Sequence, residues 1–128
     1  MSNYLILPLV SLLIFPIVTV IMMIKGDQSR NIRWTIPAAF GVAFFAFSLL
    51  AVITEGPLGF WANHTQDFWG NQVWLDLLLA IGIAWCALVP KAKTMGMKLP
   101  FWLIFIMCSG SIGLLAMFSR WLYLSDQT

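Results

Sequence analysis

Charge is scarce in this chain. Of 128 residues, 9% are charged and 61% are hydrophobic. Soluble domains carry about 25% charged residues, so the composition belongs to the membrane class. Seven basic and five acidic residues leave a net charge of +2, too weak and too scattered for nucleic acid. Cysteine is nearly missing. Cys86 and Cys108 fall in apolar segments, where a thiol behaves as a small hydrophobe, and no CxxC or Cys/His cluster suggests zinc or iron–sulfur. Histidine occurs once, as His64, so this chain alone cannot hold a haem between two histidines. A Ser/His/Asp set, a paired His/Glu motif and a glycine-rich phosphate loop are all missing. The apolar segments hold few acids and no lysine or histidine, which leaves no proton relay through them. No catalytic residue and no metal ligand set can be named, and an enzyme is the least supported reading.

Four long apolar runs are present, at about residues 5–24, 34–54, 72–89 and 99–124. Each is close to the ~20 residues that a bilayer-spanning helix needs. The first begins after Met1-Ser2-Asn3-Tyr4, which has no positive n-region. Its apolar stretch is too long for a signal peptide, so it is expected to be a retained span. Pro16 should kink it, and Lys25-Gly26-Asp27 ends it. Pro37 falls in the first turn of the second run, which suits proline. Pro90 is expected to close the third. The predicted fold is all-α: an integral membrane four-helix up-down-up-down bundle forming a single transmembrane domain over residues 1–128.

The connections set the orientation. Residues 25–33 carry Lys25, Arg30 and Arg33, and residues 90–98 carry Lys91, Lys93 and Lys98, whereas residues 55–71 carry no lysine or arginine. Short basic loops stay cytoplasmic. Four crossings would put both basic loops inside and both termini on the periplasmic side. Arg120 breaks the rule, because a continuous fourth span would carry it to the outer end. The outer loop holds Phe60, Trp61, Phe68 and Trp69, suited to headgroup depth, with a short helix expected near residues 60–68. Trp34 and Trp102 would form the opposite belt, and Trp121 and Tyr123 would join the outer one.

Three sets of residues are candidate sites. Asp76 and Arg120 are ionisable groups inside apolar runs, and such groups usually pair or function. On antiparallel neighbouring helices they would meet near the outer rim, with Glu55 able to complete a three-membered network or to occupy a separate surface site. Asp76, Arg120, Trp74 and His64 would then line an outward cavity for a ligand. His64 reads first as an interfacial loop histidine. A single axial ligand to a tetrapyrrole needs only one residue, so that alternative stays open. Asn63-His64-Thr65 matches the glycosylation pattern, beside a span. Small residues four apart, Ala39 and Ala43, Ala80 and Ala84, and Ser109 and Gly113 beside Gly110, read as helix-packing faces or as a groove for a partner helix or lipid-like ligand.

The run from Phe68-Trp69-Gly70 through Trp74-Leu75-Asp76, Pro90-Lys91-Ala92-Lys93 and Met95-Gly96-Met97 to Gly110-Ser111-Ile112-Gly113 and Arg120 resembles a family of small bacterial membrane proteins of unknown function. In that family an aspartate opens one span, a basic loop with a Gly-Met turn follows, and the next span ends in arginine. Asp76, Gly96, Met97 and Arg120 match. The resemblance covers the second half of the chain and implies a bacterial inner membrane and a helical hairpin carrying the Asp/Arg pair. Two functions follow as expectations. One is an accessory or structural subunit of a larger membrane complex, with lipid and other membrane subunits as partners. The other is binding or transport of a hydrophobic molecule such as a quinone, carotenoid or lipid.

Overall fold

The computed structural model describes residues 3–25 and 33–128. The chain divides into two units, residues 1–30 and 31–128. All regular structure among the described residues is helical.

The described part of the first unit is one helix, α1 (Asn3–Lys25), with Pro8 and Pro16 inside it. Two of its hydroxyls bond back to the helix itself. Ser11 Oγ donates to the Pro8 carbonyl at 3.0 Å and Thr19 Oγ1 to the Phe15 carbonyl at 2.8 Å. Such back-bonding satisfies a hydroxyl without water.

The second unit contains α2 (Thr35–Glu55), α3 (Gly59–Thr65), α4 (Phe68–Thr94), α5 (Leu99–Ser109) and α6 (Ser111–Gln127). With α1, helices α2 and α4 are long and apolar enough to cross a membrane. Helix α2 has 21 residues, about 31 Å at 1.5 Å per residue, which matches a ~30 Å hydrocarbon core. The helix near residues 60–68 is α3, one turn shorter at its end.

Two boundaries differ from the sequence reading. Helix α4 passes through Pro90 and ends at Thr94. Proline removes one hydrogen bond but leaves the flanking turns free to pack, and Leu88 and Ala92 on either side are buried in the core. The helix stops instead at a complete Schellman turn. Gly96, at φ +69°, donates to the Lys93 carbonyl at 3.1 Å, and Met97 donates to the Ala92 carbonyl at 3.0 Å. Met97 then packs against the buried cluster of Leu88, Ala92, Ile106 and Met117.

The larger difference is the fourth run, which is not one span. It breaks at Gly110 (φ 61°, ψ −124°) into α5 and α6. That backbone conformation is open to glycine and strained for other residues. Gly110 sits beside Ile81: a Cβ on it would lie 3.9 Å from Ile81 Cδ1. The chain therefore turns at mid-height of α4 and goes back. Helix α5 has 11 residues, about 16 Å, half of a bilayer core.

Lys91 over the Trp121 ring, 4.9 Å from its centroid, shows that α6 then runs parallel to α4. Helix α2 is antiparallel to α6: Trp34 meets Ser119 and Gly41 meets Leu115. Helix α6 is less apolar than α2, α4 or α5, and it is the best covered, with every residue from Ser111 to Ser119 buried or half-buried.

Candidate functional site

Reversal at Gly110 decides where the polar side chains go. Trp121 lies level with Lys91, fifteen residues down α4 from Asp76, so Asp76 and Arg120 stand about 22 Å apart along the helix axes. The structure does not bring them together. Among the described residues the ion pair is a different one, Arg33 with Asp126.

The half of the unit where α2 runs into α3 and α4 carries three carboxylates, Glu55, Asp67 and Asp76, and no described lysine or arginine. Glu55 closes α2 beside Gly59 of α3. Asp67 caps α4, its Oδ1 accepting from the Gly70 N–H at 2.7 Å. Asn71 Nδ2 donates to the His64 and Asp67 carbonyls at 3.1 and 3.0 Å, which ties α3 to α4. His64 and Trp74 do come together, with ring centroids 5.3 Å apart, and Phe60 and Trp61 pack on the same indole at 6.0 and 6.2 Å. Gly70 permits the approach, because a Cβ there would fall 2.5 Å from the Asn63 carbonyl oxygen. Asp76 is exposed on α4, one half-turn past Trp74, and joins none of these contacts. Phe68 and Trp69 stand almost fully exposed on the first turn of α4.

The opposite end holds Arg33, Lys91, Lys93, Lys98 and Arg120 with a single described carboxylate, Asp126. The Asp126 side chain is 4% exposed and that of Arg33 is 35% exposed. Arg33 Nη2 donates to Asp126 Oδ1, while Arg33 Nε and Asp126 Oδ2 are buried without hydrogen-bond partners. Those two atoms are each other's natural complement: Nε and Nη2 form the side-on fork that takes both oxygens of a carboxylate. The pair clasps the start of α2 to the end of α6. Ser119 Oγ adds a hydrogen bond of 2.7 Å to the Trp34 carbonyl, and Trp34 meets Tyr123 edge to face at 5.7 Å. Trp121 and Tyr123 therefore belong with Trp34 and Trp102 at the basic end, not with the outer aromatics. The carboxy terminus lies there too, because α6 returns to the level of α2's start.

Arg120 is exposed on α6. Its guanidinium carbon lies 5.5 Å from the Tyr123 ring centroid, within the range of cation–π attraction. Beside it a crevice of about 290 Å³ opens between the α4–α5 turn and α6, lined by Gly96, Met97, Lys98, Trp102, Arg120 and Leu124 among others.

The small-residue face of the fourth run works inside the hairpin. A Cβ on Gly113 would fall 2.9 Å from the Ile106 backbone, and Ser109 Oγ donates to the Phe105 carbonyl at 2.7 Å. Ala80 is exposed and Ala84 half-buried, and Cys86 and Cys108 are exposed on the protein surface. No group of three or more metal-binding side chains occurs among the described residues. Sequence reasoning missed Arg33–Asp126 and the break at Gly110. The signal was Arg120 itself, since a cation on the wrong side of a continuous span argues that the span is not continuous. Compared with protein-family models, with curated proteins and with solved structures, the chain finds no match.

Proposed function

We propose that this protein is a multi-pass protein of a bacterial inner membrane and an accessory subunit of a larger membrane assembly. In this reading α1, α2 and α4 cross the bilayer, and the α5–α6 hairpin enters from the cytoplasmic side and leaves by the same side. The basic end faces the cytoplasm, so the carboxy terminus is cytoplasmic and the amino terminus periplasmic. Within the second unit, five cations at one end and none at the other favour this orientation.

The observation that carries the proposal is how little of the long helices is covered. Only 6% of the membrane-length window of α2 is buried, and 6% of that of α4. Phe40, Phe44, Phe45 and Phe47 on α2 and Leu75, Leu79 and Ile83 on α4 are exposed. Contiguous apolar surface of this extent is stable against lipid or against other membrane helices, not against water. Extraction from the native membrane in mild detergent, followed by native sizing, tests the subunit reading. The chain should travel in a complex far larger than its own 14.4 kDa. Migration as a lone chain in a micelle would overturn it. Orientation is tested separately with Thr128→Cys in a background where Cys86 and Cys108 are serine. A water-soluble maleimide should label inverted vesicles and spare intact spheroplasts.

A second reading, binding of a hydrophobic ring compound such as a quinone, carotenoid or tetrapyrrole, has one observation behind it. Three rings, one of them His64, surround Trp74 at the acidic end. A pigment or quinone co-purifying with the isolated chain would favour it.

A further inference from the structure

We infer that the crevice between the α4–α5 turn and α6 seats the phosphate-bearing head of an anionic phospholipid at the cytoplasmic face. The inference rests on the membrane reading above and adds a site and a ligand class to it.

Four observations meet in one place. The crevice holds about 290 Å³, just below the ~300–1,000 Å³ of pockets that enclose whole drug-sized ligands. That is room for a phosphodiester head and the first part of its glycerol. Two cations line it, Lys98 from the turn and Arg120 from α6. Neither has an ion-pair partner among the described residues, whereas Arg33 at the same end is matched by Asp126. Arg120 is steadied over Tyr123, which leaves the N–H edges of its guanidinium available for two oxygens of one phosphate. Helix α5 begins in the crevice with Lys98 as its N-cap and no side-chain cap, so the partial positive charge of that terminus adds to the two full charges.

The fourth observation separates a lipid from a free anion. Phe101 lines the crevice, and Phe101, Ile104 and Met107 are exposed in succession along α5. A strip of bare apolar side chains thus rises from the cationic mouth toward mid-membrane. A head held by Lys98 and Arg120 would place its acyl chains on that strip. Free phosphate would leave the strip unused. Basic pockets between membrane helices on the cytoplasmic side are a recurring way of holding anionic heads.

Native mass spectrometry of the full-length protein in mild detergent tests this, with dioleoyl phosphatidylglycerol, dioleoyl phosphatidylcholine and inorganic phosphate as separate probes. Phosphatidylglycerol should remain bound and phosphatidylcholine should not. At about 1 kcal/mol per cation, the Lys98→Gln/Arg120→Gln double variant should bind phosphatidylglycerol about 30-fold more weakly. Lys98→Arg should stay near wild type, as should Lys93→Gln, which removes a cation outside the crevice, whereas Arg120→Lys, which keeps the charge but loses the two-pronged fork, should fall between wild type and the double variant. If the neutralised variants fail to fold, wild-type affinity for phosphatidylglycerol must still fall with added salt.

Equal retention of both lipids, an unchanged double variant, or a salt-independent affinity would overturn the assignment. Displacement by inorganic phosphate at matching concentration would mark a free-phosphate site and overturn the lipid. Carbonate washing of native membranes separates the two levels. Release of the protein would take down the membrane reading and this site together. Retention, combined with no preference between lipids, would remove the site alone.

Discussion

The two ends of the second unit solve the same problem differently. At the basic end, Arg33 on one helix meets Asp126 on another, Ser119 meets the Trp34 carbonyl, and Lys91 covers Trp121. All of these contacts are long-range, and the buried cluster of Leu88, Ala92, Ile106 and Met117 lies in the same half. At the acidic end the polar contacts are short-range: Asp67 caps its own helix and Asn71 reaches back seven residues, while the Phe60, Trp61 and His64 rings pack around Trp74 within the α3–α4 pair. One end holds α2, α4, α5 and α6 together, and the other folds α3 onto the start of α4. The contrast teaches that tertiary stability in this unit is concentrated in the half that contains the hairpin.

Breaking the clasp should have the largest effect, and an unequal one. Arg33→Gln leaves the nearly buried Asp126 carboxylate unpaired and should cost about 3 kcal/mol, in the range for removing one partner of a buried pair. Asp126→Asn leaves Arg33, one-third exposed, free to turn to water, and should cost about 1 kcal/mol, as for a partly exposed pair. Thermal or denaturant unfolding in detergent checks the order. Equal losses would mean that Arg33 cannot turn to water and is stranded as fully as Asp126.

Tightening the hairpin comes next. Gly113→Ala puts a methyl group 2.9 Å from the Ile106 backbone and should cost about 1–3 kcal/mol as overpacking. Ala116→Gly, three residues on, is the comparison: it carries only the helix penalty of about 1 kcal/mol. At the other end, Gly70→Ala meets the Asn63 carbonyl oxygen at 2.5 Å. Because α3 packs mainly on α4, the chain can yield there by displacing α3. The expected global loss is under about 1 kcal/mol, at the scale of most surface substitutions. The Trp74 fluorescence environment, read with the other tryptophans held constant, should nevertheless change. A global loss matching that of Gly113→Ala would erase the proposed difference between the two ends.

Hydropathy and punctuation make α1, α2 and most of α4 legible in the amino-acid sequence, because proline, glycine and charge bracket runs of bilayer length. The short α3 is legible from its aromatic pattern, and the structure sets His64 against Trp74. The fourth run misleads for a physical reason. Residues 99–124 are apolar enough in bulk for a single span, and glycine is tolerated inside membrane helices, so Gly110 by itself does not announce a turn. What turns it here is tertiary. Gly113 lets α6 lie directly on Ile106 of α5, and Ile81 of α4 abuts the turn. No local rule contains those contacts. Arg33 and Asp126, 93 positions apart, become partners only once that turn exists, so their pairing is invisible to any scheme that assumes four crossings.

The smallest expected effect is the sharpest test of that geometry. A continuous fourth helix would bring Arg120 to the outer rim beside Asp76. In that case Asp76→Asn and Arg120→Gln should compensate when combined. With Gly110 reversing the chain, the two side chains stand about 22 Å apart, and residues so distant act independently. The double variant should therefore equal the sum of the singles to within about 0.5 kcal/mol. Asp76→Asn alone should be mild, since an exposed carboxylate with no described ion pair leaves no partner stranded. Arg120→Gln should act instead on whatever anion occupies the crevice. A coupling energy well above that limit would mean that α5 and α6 join into one rod in the membrane. It would also return the carboxy terminus, with Asp126, to the side opposite Arg33, and the clasp that distinguishes the two ends could not form.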